Sequence, residues 1–196
     1  MGLGKQAKTL TKAQIDAALN YMSRTRYPVR NRAILLLSVR AGLRAKEIAS
    51  LTWEMVTEAD GSQSNAIHLR NSASKGKSGG RVIPLHRDLQ HAIAALKDAP
   101  PRGRLSGNLI RTERGEKTSA QVVVNLFAIW YRDLGFIGCS SHSGRRTFIT
   151  NAARKISTVG GSLRDIQMLA GHSNLSTTQR YIDANADAQR RVVDVI

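Results

Sequence analysis

The sequence predicts a mainly α-helical protein with a small antiparallel β-sheet, which is an α+β class. Apolar residues recur at helical spacing along most of the chain, between residues that favour helix ends. Two short stretches of β-type pattern, on either side of a glycine-rich turn, interrupt this spacing once. With 196 residues, 41% of them hydrophobic, the chain is long enough for one good core. We therefore expect a single domain over residues 1–196, with its core at about residues 10–183 and a tail at 184–196.

Three helices are predicted before the sheet. Thr11 and Gln14 match a capping box, so a helix should run from there to about residue 25. Pro28 suits the first turn of a second helix, which contains an apolar run and should end at Gly42. A short third helix is expected over residues 44–51. The second helix is apolar enough to be central to the core.

The predicted sheet is one β-hairpin. Its strands are expected at residues 65–70 and 81–85, and the glycine-rich stretch between them forms the turn. Lys75 and Lys77 lie at the tip of this turn. The hairpin therefore places two amino groups on a segment that we expect to be mobile.

Five further helices are predicted after the hairpin. The pattern is helical over residues 88–97 and from about 119 to 134, and Ser141 should cap the next helix. A capping box opens another helix over residues 162–170, which Gly171 ends. The last helix is expected to start in the Ser-Thr-Thr cluster at residues 176–178. That start would place Tyr181 one or two turns into the helix.

Net charge is the strongest bulk signal. The chain has 30 Lys and Arg residues against 14 Asp and Glu, a formal charge of +16. The excess is uneven, because no acidic residue occurs over residues 61–87 or 134–164. Such a protein attracts a polyanion, and duplex DNA or RNA is the usual one. A basic ribosome-associated or membrane-associated protein is the alternative that charge alone leaves open.

Targeting signals and cysteine usage bear on location. No apolar run approaches the roughly 20 residues that span a membrane, and the basic start lacks the apolar centre of a secretory signal. The one cysteine, Cys139, cannot form an internal disulfide, which suits a reducing cytoplasm and excludes a zinc site built on cysteines. We therefore expect a cytoplasmic protein.

Separate segments of the chain carry residues suited to phosphodiester cleavage. Without a metal, this reaction requires cations on the non-bridging oxygens, a nucleophile and an acid for the departing oxygen. Arg44 and Arg145 suit the first task, because a guanidinium is a planar fork of donors. A lysine of the hairpin, Lys75 or Lys77, suits the last. Tyr181 could be the nucleophile, since positive charge around the target compensates for the weakness of a phenol.

These segments, in this order, resemble the catalytic domain of the tyrosine recombinases, also called phage integrases. The matched patterns are Gly42-Leu43-Arg44 with Glu47, the Lys75 turn followed by Arg81-Val82-Ile83-Pro84-Leu85, His142-x-x-Arg145, Gly171-His172-Ser173 with Ser176-Thr177-Thr178, and Tyr181 nine residues after His172. Each motif is weak alone, but the ordered set is specific. The resemblance implies the tyrosine recombinase catalytic-domain fold. It also implies a site-specific DNA recombinase or integrase that needs no metal, cofactor or ATP.

The resemblance further implies a role for each matched residue. The expected catalytic residues are Arg44, Lys75, His142, Arg145, His172 and Tyr181. Tyr181 would attack the scissile phosphate and form a 3′-phosphotyrosyl link. Lys75 would protonate the leaving oxygen, with Lys77 as the alternative donor, and His142 would relay the tyrosine proton. The two arginines and His172 would hold the phosphate oxygens.

Supporting and DNA-binding residues complete the expected site. Glu47, one helical turn from Arg44, is expected to orient it. The residues expected to contact DNA are Lys77, Arg81 and Arg146. The expected partners are double-stranded DNA, further copies of the chain in a dimer or tetramer, and accessory DNA-bending proteins. The tail at residues 184–196 is expected to dock on a neighbouring protomer, or else to fold back on its own core.

Other functions also fit the sequence. One is a type IB topoisomerase, which shares this chemistry. Another is a remnant integrase or a non-catalytic DNA-binding regulator, because a helix, the Gly171 turn and a second helix imitate a helix-turn-helix. Family members usually carry an N-terminal DNA-binding domain, which we expect to be absent here. A bacterial or phage origin is expected.

Overall fold

The computed structural model describes residues 6–74, 80–99, 106–112, 115–181 and 193–194. In chain order its elements are α1 (Lys12–Ser23), α2 (Pro28–Ala41), α3 (Ala45–Ser50), β1 (Ala66–Leu69), β2 (Arg81–Pro84), α4 (Arg87–Asp98), α5 (Ala120–Asp133), α6 (Ser143–Lys155), α7 (Leu163–Ala170) and α8 (Leu175–Gln179). Short 3₁₀ turns lie at Trp53–Met55, Asn71–Ala73 and Ile156–Val159. The mainly helical class with a small antiparallel sheet is therefore confirmed.

Helix α2 forms the centre of the main core. Residues 33–37 are fully buried, and α1, α4 and α6 pack around this helix, as its apolar character on all sides requires. Pro28 occupies its first turn, and Gly42 ends it in the left-handed conformation with φ 64°. Both ends of α2 are as the sequence predicts. The packing places the C-terminal end of α2 beside α6.

Two capping boxes that the sequence predicts are present. The backbone N–H of Thr11 donates to the Gln14 side chain, and the N–H of Gln14 donates to the Thr11 hydroxyl. At the start of α7, the backbone N–H and the hydroxyl of Ser162 both donate to the Asp165 carboxylate. Each box satisfies backbone N–H groups that have no partner within the helix, so these starts depend only on nearby residues.

The starts of α6 and α8 differ from the prediction. Ser141 does not cap α6, because the helix begins at Ser143 and His142 is the residue that precedes it. Helix α8 begins earlier than expected, since the Asn174 side chain accepts from the N–H of Ser176 and caps it. This helix ends at Gln179, so Tyr181 lies just beyond it rather than inside it.

The predicted hairpin is present. Strands β1 and β2 pair antiparallel, with Ala66 opposite Pro84 and Leu69 opposite Arg81. Its buried side chains include Leu69 and Ile83, which belong to the main core. Residues 75–79, with the expected tip lysines, lie outside the described residues.

A second, smaller core joins the C-terminal helices. Ile149 of α6 packs with Ile166 and Ala170 of α7, and Tyr181 packs against this cluster. Gly144 lets α6 approach α2 closely, because a β-carbon there would lie only 2.3 Å from the Ser38 hydroxyl oxygen. Within the described ranges, no helix is both long and apolar enough to cross a membrane.

Candidate active site

Arg145 connects the ends of two helices. It lies in the first turn of α6 and is only 3% exposed. Its Nη1 donates to the carbonyl oxygen of Gly42 at 2.6 Å, and its Nη2 donates to that of Ala170 at 2.7 Å. Carbonyls at the C-terminal ends of helices lack intrahelical partners and carry partial negative charge. The ends of α2 and α7 therefore fix the position of this guanidinium.

Gly42 is required by its surroundings as well as by its backbone conformation. A β-carbon at this residue would lie 2.4 Å from a ring carbon of Phe148, one turn after Arg145 on α6. Because Gly42 has no side chain, the ring of Phe148 packs directly against its backbone. The carbonyl oxygen of the same residue accepts the short hydrogen bond from Arg145.

Glu47 is a fully buried carboxylate that binds two arginines. Its two oxygens accept from the Nη1 and the backbone N–H of Arg44, both at 2.9 Å. They also accept from Nη1 and Nη2 of Arg81, both at 3.1 Å, in a paired, fork-like contact. Burial alone would raise the pKa of Glu47, but the hydrogen bonds and charges of Arg81 and Arg44 lower it below the ordinary value. Glu47 is therefore held as an anion.

Arg81 does not have the position expected of a DNA contact. Its side chain is only 6% exposed, and its Nε donates to the carbonyl oxygen of Leu169 at 2.8 Å, besides the two bonds to Glu47. A β-carbon at Gly171 would come within 2.7 Å of the Arg81 Nη1, so glycine makes room for the guanidinium. Arg81 thus joins the hairpin to α3 and to the end of α7.

The cluster carries excess positive charge. The guanidinium groups of Arg44, Arg81 and Arg145 face one carboxylate, Glu47. Burial, followed by the charge of Arg44, lowers the pKa of Arg145 to about 10, which leaves it protonated at neutral pH. The side chain of Arg44 is 24% exposed and thus reachable from solvent. The arrangement is suited to binding an anion with several oxygens, such as a phosphate.

His172 and Tyr181 lie side by side next to these arginines. Their rings stack with centroids 5.6 Å apart and planes at 20°. His172 is 8% exposed, and its Nδ1 lies 3.0 Å from the Thr178 hydroxyl oxygen. Burial, followed by the charges of Arg145 and Arg44, lowers the pKa of His172 to about 4. This histidine is therefore neutral at pH 7.

Tyr181 is close to Arg145 as well. The phenol is half-buried, and its negative form would raise the pKa of Arg145 through charge attraction. The Thr150 hydroxyl donates to the Tyr181 carbonyl oxygen at 3.3 Å, and the Tyr181 N–H donates to the Thr178 carbonyl oxygen at 3.0 Å. The backbone of Tyr181 is thus held by α6 and α8, with its ring at the edge of the arginine cluster.

The remaining expected residues have varied positions. His142 is exposed, one turn before Arg145. Arg146 is half-buried, and its Nη1 donates to the side chain of Gln6 and to the carbonyl oxygen of Ala7, so it holds the start of the described chain instead of extending freely towards DNA. Lys75 and Lys77, the lysines expected at the hairpin tip, lie outside the described residues.

Sequence reasoning missed the contact that Thr178 makes with His172. The threonine belongs to the cluster at residues 176–178, which was expected to start a helix and which matched a family pattern, but to which no contact was assigned. The available signal was its position between the two expected catalytic residues, six after His172 and three before Tyr181. In the parts of the chain described here, no three His, Cys, Asp or Glu side chains are grouped so that they could hold a metal ion.

The chain as a whole is similar to known proteins. The family model for the phage integrase family matches residues 8–188. The chain is 31% identical over 169 residues to a tyrosine recombinase XerC of Pelobacter propionicus, covering 86% of this chain and 52% of that protein. It is 32% identical over 187 residues to a tyrosine recombinase XerA of Thermococcus onnurineus, covering 94% and 61%. The chain thus spans little more than half the length of these curated relatives.

Solved structures share the fold. The integrase of the Tn1549 transposon, in complex with a circular intermediate DNA, has a TM-score of 0.75 and 21% identity, covering 97% of this chain and 66% of that one. A crystal structure of XerA recombinase has a TM-score of 0.71 and 19% identity, covering 98% and 64%. At these sequence identities, the similarity to the two solved structures is evidence for the fold only.

Proposed function

Because the chain belongs to the phage integrase family, we propose that it breaks and rejoins DNA strands at specific sites through a covalent 3′-phosphotyrosyl intermediate. The observation that carries this proposal is the phenol of Tyr181 beside the arginine cluster. The relatives are named as recombinases, which supports the same activity for this chain. Double-stranded DNA would be the substrate.

The phosphate would be held by three side chains. Arg44 is partly exposed, and Arg145 is fixed by two carbonyls that occupy only two of its five N–H donors. Neutral His172 can donate one further hydrogen bond. Donors fixed before the reaction stabilise charge that develops on the non-bridging oxygens, and they do so without reorganisation.

Cleavage would proceed by displacement at phosphorus. The oxygen of Tyr181 forms a bond to phosphorus, and the bond from phosphorus to the 5′ oxygen breaks, which leaves a 3′-phosphotyrosine. His142 would accept the phenolic proton, and Lys75 or Lys77 would give a proton to the leaving 5′ oxygen. Attack by another strand's 5′-hydroxyl reverses these steps. The bond energy is conserved in the intermediate, so neither ATP nor a metal is required.

Two residues receive revised roles in this proposal. Arg81 would act through Glu47, because its guanidinium is buried against that carboxylate and keeps it anionic. Glu47 in turn orients Arg44. Arg146 would fix the segment around Gln6 rather than contact the DNA backbone. The expected DNA contact of Lys77 stays a proposal.

The assembly is also part of the proposal. Solved relatives include a recombinase bound to its difH substrate and a dimer of the lambda integrase bound to a core site. We expect this chain to act on DNA as a dimer or tetramer in the cytoplasm, with accessory DNA-bending proteins as further partners. The tail at residues 184–196 would dock on the neighbouring copy; apart from residues 193 and 194, it lies outside the described residues.

A nicked suicide substrate tests the activity. Incubated with this DNA, the wild-type protein should form a covalent adduct that survives a denaturing gel. Tyr181→Phe keeps the aromatic ring and its stacking on His172 but removes the nucleophilic oxygen, so it should bind the same DNA and give no adduct. Binding by gel shift and thermal unfolding, measured on both proteins, control for loss of fold.

The outcomes separate the possible functions. An adduct that persists in Tyr181→Phe contradicts the assignment of the nucleophile. Sequence-specific binding by both proteins without any adduct would indicate a DNA-binding regulator. Relaxation of supercoiled DNA without strand exchange would indicate a topoisomerase.

A further inference from the structure

Within the described residues, the ring of His172 makes one side-chain hydrogen bond. Its Nδ1 lies 3.0 Å from Oγ1 of Thr178, which is fully buried. The backbone of His172 is fixed at both ends, since its N–H donates to the Gln167 carbonyl oxygen and its own carbonyl oxygen accepts from the Gln167 side chain. The ring is therefore fixed opposite the threonine hydroxyl.

Counting donors and acceptors shows which group donates. A hydroxyl has one hydrogen to donate, and a neutral imidazole carries a hydrogen on only one of its two nitrogens. Among the described residues, Nδ1 of His172 is the only hydrogen-bond partner of the Thr178 hydroxyl. If Nδ1 carried the hydrogen, the buried hydroxyl hydrogen would be left without an acceptor, which is costly. The hydroxyl therefore donates to Nδ1.

The surroundings of His172 favour the neutral ring. Burial disfavours a positive charge on the ring, as do the charges of Arg145, Arg44 and Arg81, and Glu47 only partly offsets them. A neutral ring that accepts at Nδ1 must carry its hydrogen on Nε2. The opposite tautomer would present a lone pair from Nε2, which repels a phosphate oxygen.

We propose that Thr178 is a positioning residue that holds His172 in the Nε2–H tautomer, so that Nε2–H donates to the phosphate. The role in catalysis rests on the proposed function, whereas the tautomer is a property of the free protein. The carbonyl oxygen of Thr178 also accepts from the Tyr181 N–H at 3.0 Å. One residue of α8 thus links the orientation of the histidine to the backbone of the nucleophile.

Nitrogen NMR of the imidazole rings tests the tautomer directly. In protein with ¹⁵N-labelled histidine at pH 7 and without DNA, long-range correlations should show His172 protonated on Nε2. A spectrum of His172→Gln assigns the signal among the five histidines. Protonation of His172 on Nδ1 in the wild-type protein would overturn the proposal, whatever happens with the variants.

Matched threonine variants test the cause. Thr178→Val keeps the shape of the side chain without the hydroxyl, and it should give a mixture of tautomers; Thr178→Ser should restore Nε2–H. Thr177→Val, at the neighbouring half-buried position of α8, is the control and should leave the tautomer unchanged. An unchanged tautomer in Thr178→Val would overturn the proposal.

Cleavage of the suicide substrate measures the consequence. We expect Thr178→Val to form adduct more slowly in proportion to the fraction of His172 that no longer carries Nε2–H: about twofold if half of the rings change tautomer, and up to roughly the hundredfold that removal of one oxyanion donor costs. Thr178→Ser should recover the rate. If the wild-type protein forms no adduct at all, the proposed function fails while the tautomer assignment stands on the spectra.

Discussion

Glu47 is the residue on which the geometry of the candidate site depends. A fully buried carboxylate is stable only when it is paired and hydrogen-bonded, and Arg44 and Arg81 provide both. The sequence allowed the contact with Arg44 to be predicted, because the two residues are one helical turn apart. Arg81 lies 34 residues after Glu47 in the sequence, and their contact depends on how the hairpin packs. Local sequence pattern therefore could not predict it.

Replacing Glu47 should destabilise the fold strongly. Glu47→Gln leaves the buried guanidinium of Arg81 and the partly exposed one of Arg44 without their counter-charge, which should lower the free energy of unfolding by about 3 kcal/mol. Glu54→Gln is the matched control, because Glu54 is 63% exposed and pairs with the exposed Arg70. The control should lose at most about 1 kcal/mol. Urea unfolding monitored by circular dichroism measures both, and equal losses would contradict the argument.

His172 should make stability depend on pH. Its pKa is lowered to about 4 in the folded protein, against an ordinary value of about 6.5, so the unfolded chain binds a proton that the folded chain does not. Between pH 6.5 and 4 the free energy of unfolding should therefore fall as pH falls, by at most about 1.4 kcal/mol per pH unit from this group.

The variant His172→Gln isolates this contribution. Its unfolding free energy should fall less steeply than that of the wild-type protein over the same pH interval, because the carboxylates contribute equally to both. Urea titrations at half-unit steps of pH provide the comparison. Parallel curves would show that the folded protein does not disfavour the charged ring.

At the scale of elements, the ends of helices separate what the sequence can and cannot predict. The capping boxes of α1 and α7 and the glycine stops after α2 and α7 involve residues within a few positions of each other, and all were predictable. The start of α6 was not, because the turn at residues 140–143 depends on a serine–serine contact, from the Ser140 N–H to the Ser143 hydroxyl. Capping by Asn174 was overlooked in favour of the following serine and threonines.

The crossing of α6 on α2 gives a prediction about Gly144. In an isolated helix Gly144→Ala would be stabilising by about 1 kcal/mol. Here the new β-carbon would lie 2.3 Å from the Ser38 hydroxyl oxygen and 2.9 Å from the Ser38 β-carbon, so we expect a net loss of roughly 1–3 kcal/mol. Asn151→Ala, at an exposed position of the same helix, should change stability by less than about 0.5 kcal/mol.

A double-mutant cycle checks the mechanism. Ser38→Gly removes the two nearest atoms that the new β-carbon would meet and leaves only Val39 Cγ1, at 3.0 Å. It should therefore cost less in the Gly144→Ala background than in the wild-type protein. Thermal or urea unfolding of the four proteins gives the coupling energy. Additive effects would mean that Ser38 does not limit the approach of the two helices.

At the scale of the whole molecule, the net charge of +16 is the property that predicts attraction to duplex DNA. Because phosphate contacts release counterions, affinity for duplex DNA should fall by about 0.9 log units per contact for each tenfold rise in salt. Composition alone could predict this attraction. It could not distinguish basic residues on the surface from Arg81 and Arg146, whose guanidinium groups bind other parts of the chain.

Salt titration of DNA binding can distinguish these classes of arginine. For the wild-type protein we expect a slope of log affinity against log salt of about −4 or steeper, equivalent to four or more phosphate contacts. Arg146→Gln should leave the slope unchanged, since Arg146 binds Gln6 and Ala7. A slope about one unit shallower in this variant would indicate that Arg146 contacts a DNA phosphate, as the sequence analysis expected. Fluorescence anisotropy with a labelled duplex is a suitable measurement.

The double anchorage of Arg145 has a consequence for how such genes decay. A lineage that no longer cuts DNA would lose Tyr181 at little structural expense, since phenylalanine fills the same space. The same lineage would still be under selection to retain Arg145 for as long as the protein must fold, because that side chain donates to carbonyl oxygens at the C-terminal ends of α2 and α7. In degraded copies of the gene, a retained Arg145 would therefore indicate only that the protein still folds. A retained Tyr181 would indicate selection for DNA cleavage.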